Sequence, residues 1–176
     1  MPRPLLGLAL LPMAALTGCT TMKAAPVAAI GNATLVQANG LPAGTALFTA
    51  ANDRLSLHLA VAGLPPGGHG VHLHSAGKCG EAGFTDAGAH LSPASRQHGT
   101  DNPAGSHFGD LPNLMIGADG TGILAVQLPG SRDAALAALF DGDGSAVVIH
   151  AALDDYRTDP SGNSGARIAC GVLQRK

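Results

Sequence analysis

Seven side chains along this chain have the types and spacing of metal ligands. His72 and His74 lie two apart in GVHLH. His90, His98, His107 and Asp110 follow within one stretch rich in glycine and proline, and His150 ends the apolar run VVIH. The set takes in six of the eight histidines. Imidazole nitrogens suit copper and zinc, and a carboxylate among imidazoles is an ordinary zinc shell. Six imidazoles and one carboxylate are too many for one four-coordinate ion, so two metals sharing a ligand is the count this set implies.

The elements that position them read as short strands. Candidates are Ala33–Ala38, Thr45–Ala50, Arg54–Ala62, Gly70–Ser75, Leu114–Ala118, Gly122–Leu128, Ala146–His150 and Arg167–Leu173, punctuated by turn signals such as Asn39-Gly40, Asn52-Asp53 and Asp119-Gly120. Leu55, Leu57, Leu59 and Val61 alternate with Arg54, Ser56, His58 and Ala60, the period of a half-buried strand. By the same alternation His72 and His74 project together while Val71 and Leu73 enter the core. DAALAALF (Asp133–Phe140) suggests a helical turn. The class is all-β: an eight-stranded Greek-key barrel or sandwich. Two connections, Ala76–Asn113 and Ala151–Ala166, are long enough to be functional loops.

The chain divides into a leader (residues 1–18), a tether (19–32) and one domain (33–176). Arg3 precedes a short apolar run, Leu5 to Leu16, which is too short to span a bilayer. It ends in Leu16-Thr17-Gly18-Cys19, which looks like a bacterial lipobox and implies a lipid on Cys19. The expected location is therefore exported and lipid-anchored to a bacterial membrane, facing the periplasm or the cell exterior. Lipidation would leave Cys79 and Cys170 as a pair. In an oxidising compartment a disulfide is their default state, and two further metal thiolates are the rival. The chain carries 10 Lys+Arg against 12 Asp+Glu, one Tyr, four Phe and no Trp. A basic patch interleaved with aromatics is absent, which argues against a nucleic-acid partner.

The segments GVHLH, AGAHLSPASRQHG, HFGDL, VVIH and GNSGARIACGV, in this order, resemble the copper/zinc superoxide dismutase family over roughly residues 33–175. The resemblance implies copper, cycling between Cu2+ and Cu+, on His72, His74, His90 and His150. It implies Zn2+ on His90, His98, His107 and Asp110, with His90 bridging the two metals. It implies that Arg167 guides superoxide, that Cys79 and Cys170 form a disulfide, and that Asp154 links a copper histidine to a zinc histidine. The implied reaction is dismutation of superoxide to dioxygen and hydrogen peroxide, with His90 and Arg167 as its catalytic residues. Dimer contacts differ among bacterial members, so a homodimer and a monomer both stay open.

Other residues read as structural. His58 lies on the polar face of its strand and His69 has the parity of the core, so one belongs to the surface and the other to a buried hydrogen bond. Asp141–Gly144 reads as a turn, because it lacks the spaced acids of a calcium loop. Two other functions would use the same ligands: a module that stores or passes on metal, and a domain that needs metal only to hold its loops. The first would not need Arg167 or a bridging His90, and for the second metal removal would cost stability and nothing else.

Overall fold

The computed structural model describes residues 26–176; the leader, Cys19 and the first part of the tether lie outside the described residues. The chain begins with an antiparallel meander of β1 (Ala28–Gln37), β2 (Pro42–Ala51) and β3 (Arg54–Val61). Its turns fall where expected, with Gly40 and Asn52 in the left-handed region (φ 81° and 53°) that such turns demand. The chain then crosses to β4 (Gly67–His69) and β5 (Val71–His74). After the first long loop come β6 (Leu114–Ile116) and β7 (Gly122–Gln127), which returns to pair with β3. Helix α1 (Arg132–Leu139) leads to β8 (Ala146–His150), β9 (Arg167–Val172) and β10 (Gln174–Arg175).

The main sheet runs β5-β8-β9-β1-β2-β3-β7, with β10 pairing β1. The ribbon β4–β6 joins β5 through Gly70 and β7 through the turn at Gly117–Thr121, so it lies between the two ends of the sheet. This curled, Greek-key connected sheet is the all-β architecture expected from the sequence. Its interior holds Leu35, Phe48, Leu55, Leu57, Leu59, Val71, Leu73, Leu114 and Ile149, all at 1% exposure or less. Burial of each such side chain contributes about 1.5–3 kcal/mol. The alternation in β3 is as read: Leu55, Leu57, Leu59 and Val61 point inward and His58 is exposed.

Three expectations need correction. Ala28–Asn32, assigned to the tether, form the first half of β1 and pair with β2 and β10. The sequence AAIGN is too small and uniform to display a strand period. The strand expected over Gly70–Ser75 forms as Val71–His74 and pairs with β8, but a strand that no candidate covered precedes it: Gly67–His69 pairs with β6, and the chain changes partner at Gly70. The Ala-rich segment is a full two-turn helix rather than one turn. Ser131 caps it, its Oγ accepting from the Ala134 amide at 3.3 Å.

The two long connections carry little regular structure, apart from a short 3-10 segment at Ala82–Ala87. They fold back over the outer face of β5 and β8. All four residues of β5 and all five of β8 are therefore buried, although only Val71, Leu73, Val147 and Ile149 face the main core.

Candidate metal centre

Strand β5 aims His72 and His74 away from the core, and backbone pairing brings the loop ligands to them. The Leu73 amide donates to the Gly109 carbonyl (2.9 Å), and Leu91 donates to the Leu73 carbonyl (2.8 Å). Single bridges match His72 with Asp110 and His74 with His90. His150, the last residue of β8, lies on the other side of His72, ring centroids 4.8 Å apart. All seven predicted ligands are thereby brought together, each at 9% exposure or less.

They form two groups. In the first, each imidazole gives one N–H to an oxygen and keeps the other nitrogen bare. His72 donates from Nε2 to Asp154 Oδ2 (2.9 Å), His74 from Nδ1 to the Gly88 carbonyl (2.9 Å), and His150 from Nδ1 to the Gly165 carbonyl (3.0 Å). A neutral imidazole has one N–H, so the opposite nitrogen of each carries only a lone pair. Those atoms, His72 Nδ1, His74 Nε2 and His150 Nε2, together with His90 Nε2, are buried without a hydrogen-bond partner. Ligand atoms of these four histidines lie within 4.8 Å of one another. Four converging, unpaired lone pairs are costly for a fold unless a cation binds them.

The second group centres on Asp110. The Nδ1 atoms of His90, His98 and His107 lie 3.1, 3.0 and 3.1 Å from Asp110 Oδ1. Tetrahedral bonds of about 2.0–2.1 Å place neighbouring ligand atoms roughly 3.3 Å apart, close to these spacings. His98 also donates from Nε2 to Asp154 Oδ1 (2.9 Å), so its Nδ1 lone pair faces a carboxylate oxygen. Two electron-rich atoms at that distance repel unless a cation lies between them. His72 also approaches this group, but its Nε2 is already bonded to Asp154 and its bare nitrogen is Nδ1, so His107 is the better fourth member. The donor set therefore fits two metals.

Burial sets the protonation of the first group. Desolvation pushes His72 down to about 3, partly offset by its bond to Asp154. It pushes His74 down to about 2 and His150 to about 4, and it lowers His90 as well. These rings are neutral near pH 7, the form that ligates. Desolvation would raise Asp110, but bonds from His90 and the Gly99 amide hold it well below the usual carboxylate range. Asp154 is likewise held low by His72, His98 and the Tyr156 amide against its desolvation.

Arg167, on β9, donates to the Phe84 carbonyl (2.5 Å) and to the Gly88 carbonyl (2.7 Å). The Gly88 oxygen also accepts from His74, so guanidinium and ligand share one acceptor. Cys79 and Cys170 form a disulfide, which settles their pairing against thiolate ligation. His69 is buried, with Nδ1 2.7 Å from the His150 carbonyl and Nε2 3.0 Å from the Pro65 carbonyl, and its ring N–H donates to one of the two, the structural role expected of it. Asp141 accepts from the amides of Asp143 and Gly144, as a turn residue does.

Several positioning residues escaped the sequence reading. Asn113 clamps the Asp154 backbone at both its N–H and its carbonyl (2.8 and 2.9 Å), and Asp159 accepts from the His98 amide (2.6 Å). Gly99 (φ 106°) donates to Asp110 Oδ2, and a Cβ there would strike the Tyr156 carbonyl. A lone Asn, Asp or Gly in a loop has no period to betray it.

The family model for copper/zinc superoxide dismutase (SODC) matches residues 42–173. A superoxide dismutase [Cu-Zn] of Caulobacter vibrioides is 41% identical over 144 residues, covering 77% of this chain and 80% of that protein. The superoxide dismutase-like protein YojM of Bacillus subtilis is 42% identical over 125 residues, 69% of this chain; the aligned part is 64% of YojM's own length. The crystal structure of a SOD-like protein from Bacillus subtilis matches with a TM-score of 0.76 at 39% identity, covering 83% of this chain and all of that one. The Cu/Zn superoxide dismutase from Brucella abortus matches with a TM-score of 0.64 at 28% identity, covering 85% and 100%. With its clustered histidines and curled sheet, this chain belongs to the copper/zinc superoxide dismutase family of oxidoreductases, whose cofactors are copper and zinc.

Proposed function

We propose that this protein dismutates superoxide, holding copper on His72, His74, His90 and His150 and zinc on His90, His98, His107 and Asp110. The observation that carries this reading is the set of four bare, buried nitrogens beside a carboxylate ringed by three others. Copper held by the first group would supply one-electron redox chemistry between Cu2+ and Cu+, and zinc held by the second would supply a fixed positive charge.

The chain's own residues do the rest. His90 is the bridge in this reading, since its Nδ1 belongs to the Asp110 group and its Nε2 to the first group. Its Nε2 is the atom able to take up and release a proton where peroxide forms. Arg167 places a fixed guanidinium one carbonyl oxygen away from His74, so an anion drawn to the first group meets a cationic dock beside it. Asp154 holds one histidine of each group in the tautomer that leaves its ligating nitrogen free. The overlying loops keep water from the ligands, which strengthens each of these interactions.

The test is superoxide dismutation by the purified protein loaded with copper and zinc, against its metal-free form. Rapid metal-dependent turnover establishes the activity. Stoichiometric binding of both metals without turnover points to metal storage or transfer instead.

The same reading includes export and a lipid on Cys19, with the domain held at a bacterial membrane facing the periplasm or the exterior. Replacement of Cys19 by Ala should release the protein from the membrane fraction. Retention on the membrane would reject the anchor.

A further inference from the structure

The loop from Cys79 to His90 holds both acceptors of the Arg167 guanidinium. Phe84 takes part from the left-handed region (φ 55°), its ring buried against Ala87, Val148 and Cys170. Gly88 (φ 78°) supplies the second acceptor and closes the turn, its amide N–H donating to the Thr85 carbonyl. Between them in the chain stands Asp86. Its Oδ2 accepts from the Gly80 amide at 2.8 Å, tying the start of the loop to its end. Its Oδ1 is shielded from water and has no hydrogen-bond partner among the described residues. Two cations lie within its electrostatic reach, Lys78 on the same loop and Arg167 on β9. The metal-centre reading makes no use of Asp86.

We propose that Asp86 is a positioning residue for Arg167. By tying Gly80 to the far end of the loop it fixes the Phe84 and Gly88 carbonyls that hold the guanidinium. Its negative charge also moderates the pull of that guanidinium on anions. The proposal rests on the reading of Arg167 as the dock for superoxide, although the positioning itself does not require that reading. The two effects separate by substitution. Asp86→Asn keeps an oxygen for the Gly80 amide and removes the charge, whereas Asp86→Ala removes both.

The first readout needs neither metal nor turnover. Phenylglyoxal modifies accessible arginines, and peptide mapping of the metal-free, disulfide-intact protein gives the rate at Arg167. Amide exchange at Gly80 reports the tie directly. Asp86→Ala should speed both several-fold, while Asp86→Asn stays near the parent protein. In the loaded enzyme, kcat/KM should fall several-fold in Asp86→Ala. In Asp86→Asn it should rise, by about twofold at low ionic strength, and converge with the parent as salt screens the field. Parent-like modification and exchange in Asp86→Ala would overturn the positioning role, and a fall in Asp86→Asn as deep as in Asp86→Ala would overturn the role of the charge. An Arg167→Ala enzyme with both metals and an unchanged rate would reject the docking reading alone. The modification rate in Asp86→Ala would still decide whether Asp86 positions the guanidinium.

Discussion

Replacement of Asp154 by Asn should weaken both metal sites with a single change. Asp154 is 3% exposed. Its Oδ2 accepts from His72, and its Oδ1 accepts from His98 and the Tyr156 amide, at 2.9, 2.9 and 2.7 Å. Asparagine fills the same volume but offers one accepting oxygen and one NH2 group. Whichever histidine faces the NH2 loses its acceptor and is driven toward the tautomer whose proton sits on the ligating nitrogen. That side forfeits a charge-assisted bond of about 1.5–3 kcal/mol, and loss of such an orienting partner lowers metal affinity about 10–100-fold. The other histidine exchanges a charged acceptor for a neutral one, a difference of about 1 kcal/mol, or roughly fivefold.

The assay is competition for each metal against a chelator of known affinity, on protein loaded with copper, zinc or both. The expected result is one site weakened at least tenfold and the other by a smaller factor, with the larger loss marking the side that the NH2 faces. Affinities within twofold of the parent at both sites would refute the claim that this carboxylate orients the two histidines. A collapse of the metal-free variant's melting temperature would show that the loss came through folding instead.

Three further outcomes follow from the same geometry. His150→Ala removes one of the four bare nitrogens and none of the atoms gathered around Asp110 Oδ1, so metal analysis should find copper lost and zinc retained, at an affinity lowered at most by the coupling between the groups; loss of both would contradict the division. Reduction of Cys79–Cys170, which closes a separation of 91 residues, should cost about 4 kcal/mol and lower the melting temperature by roughly 10 °C; an unchanged melting curve would remove the disulfide from the stability of the fold. Acidification should destabilise the metal-free protein, because His72, His74 and His150 are held at about 3, 2 and 4 when folded and return to 6.5 when unfolded. The unfolded chain therefore binds protons first, and stability falls as pH drops below about 6.5. At pH 5.5 each histidine contributes a loss of roughly 1.4 kcal/mol, with Asp110 and Asp154 adding the same sign at lower pH. Calorimetry finding a level or rising melting temperature from pH 7.5 to 5.5 would reject this account.

The candidate ligands were legible because they sit at spacings that a fold must respect. His72 and His74 share a strand face, and His150 ends an apolar run, so one period of two and one run end already located three of the four members of the first group. The alternation of β3 was legible for the same reason. What the sequence hid is what depends on contacts between distant loops. Asn113 reaches Asp154 across 41 positions, and Asp159 reaches His98 across 61. The strand at Gly67–His69 was hidden because two of its three residues are glycine, which signals a turn, and its partner β6 comes later in the chain. The start of β1 was hidden by alanine and glycine, whose small side chains pair well and signal nothing.

Two side chains make the centre a single object rather than two neighbouring sites. His90 belongs to both groups through its two ring nitrogens, and Asp154 bonds a histidine of each. In the metal-free protein the four bare nitrogens are a standing cost of about 1–3 kcal/mol each. A first metal bound here would relieve part of that cost and would hold His90 and the carboxylates in place, and a second would then meet ligands already ordered, without repeating that loss of freedom. Occupancy of the Asp110 group should therefore raise affinity at the four-imidazole group, and by linkage the reverse enhancement must have the same magnitude. Coupling of this kind is commonly about 5–150-fold. Chelator competition for each metal, with the other present or absent, measures both legs of the cycle. Equal affinities with and without the partner metal would mean that His90 and Asp154 join the groups in space but carry no free energy between them.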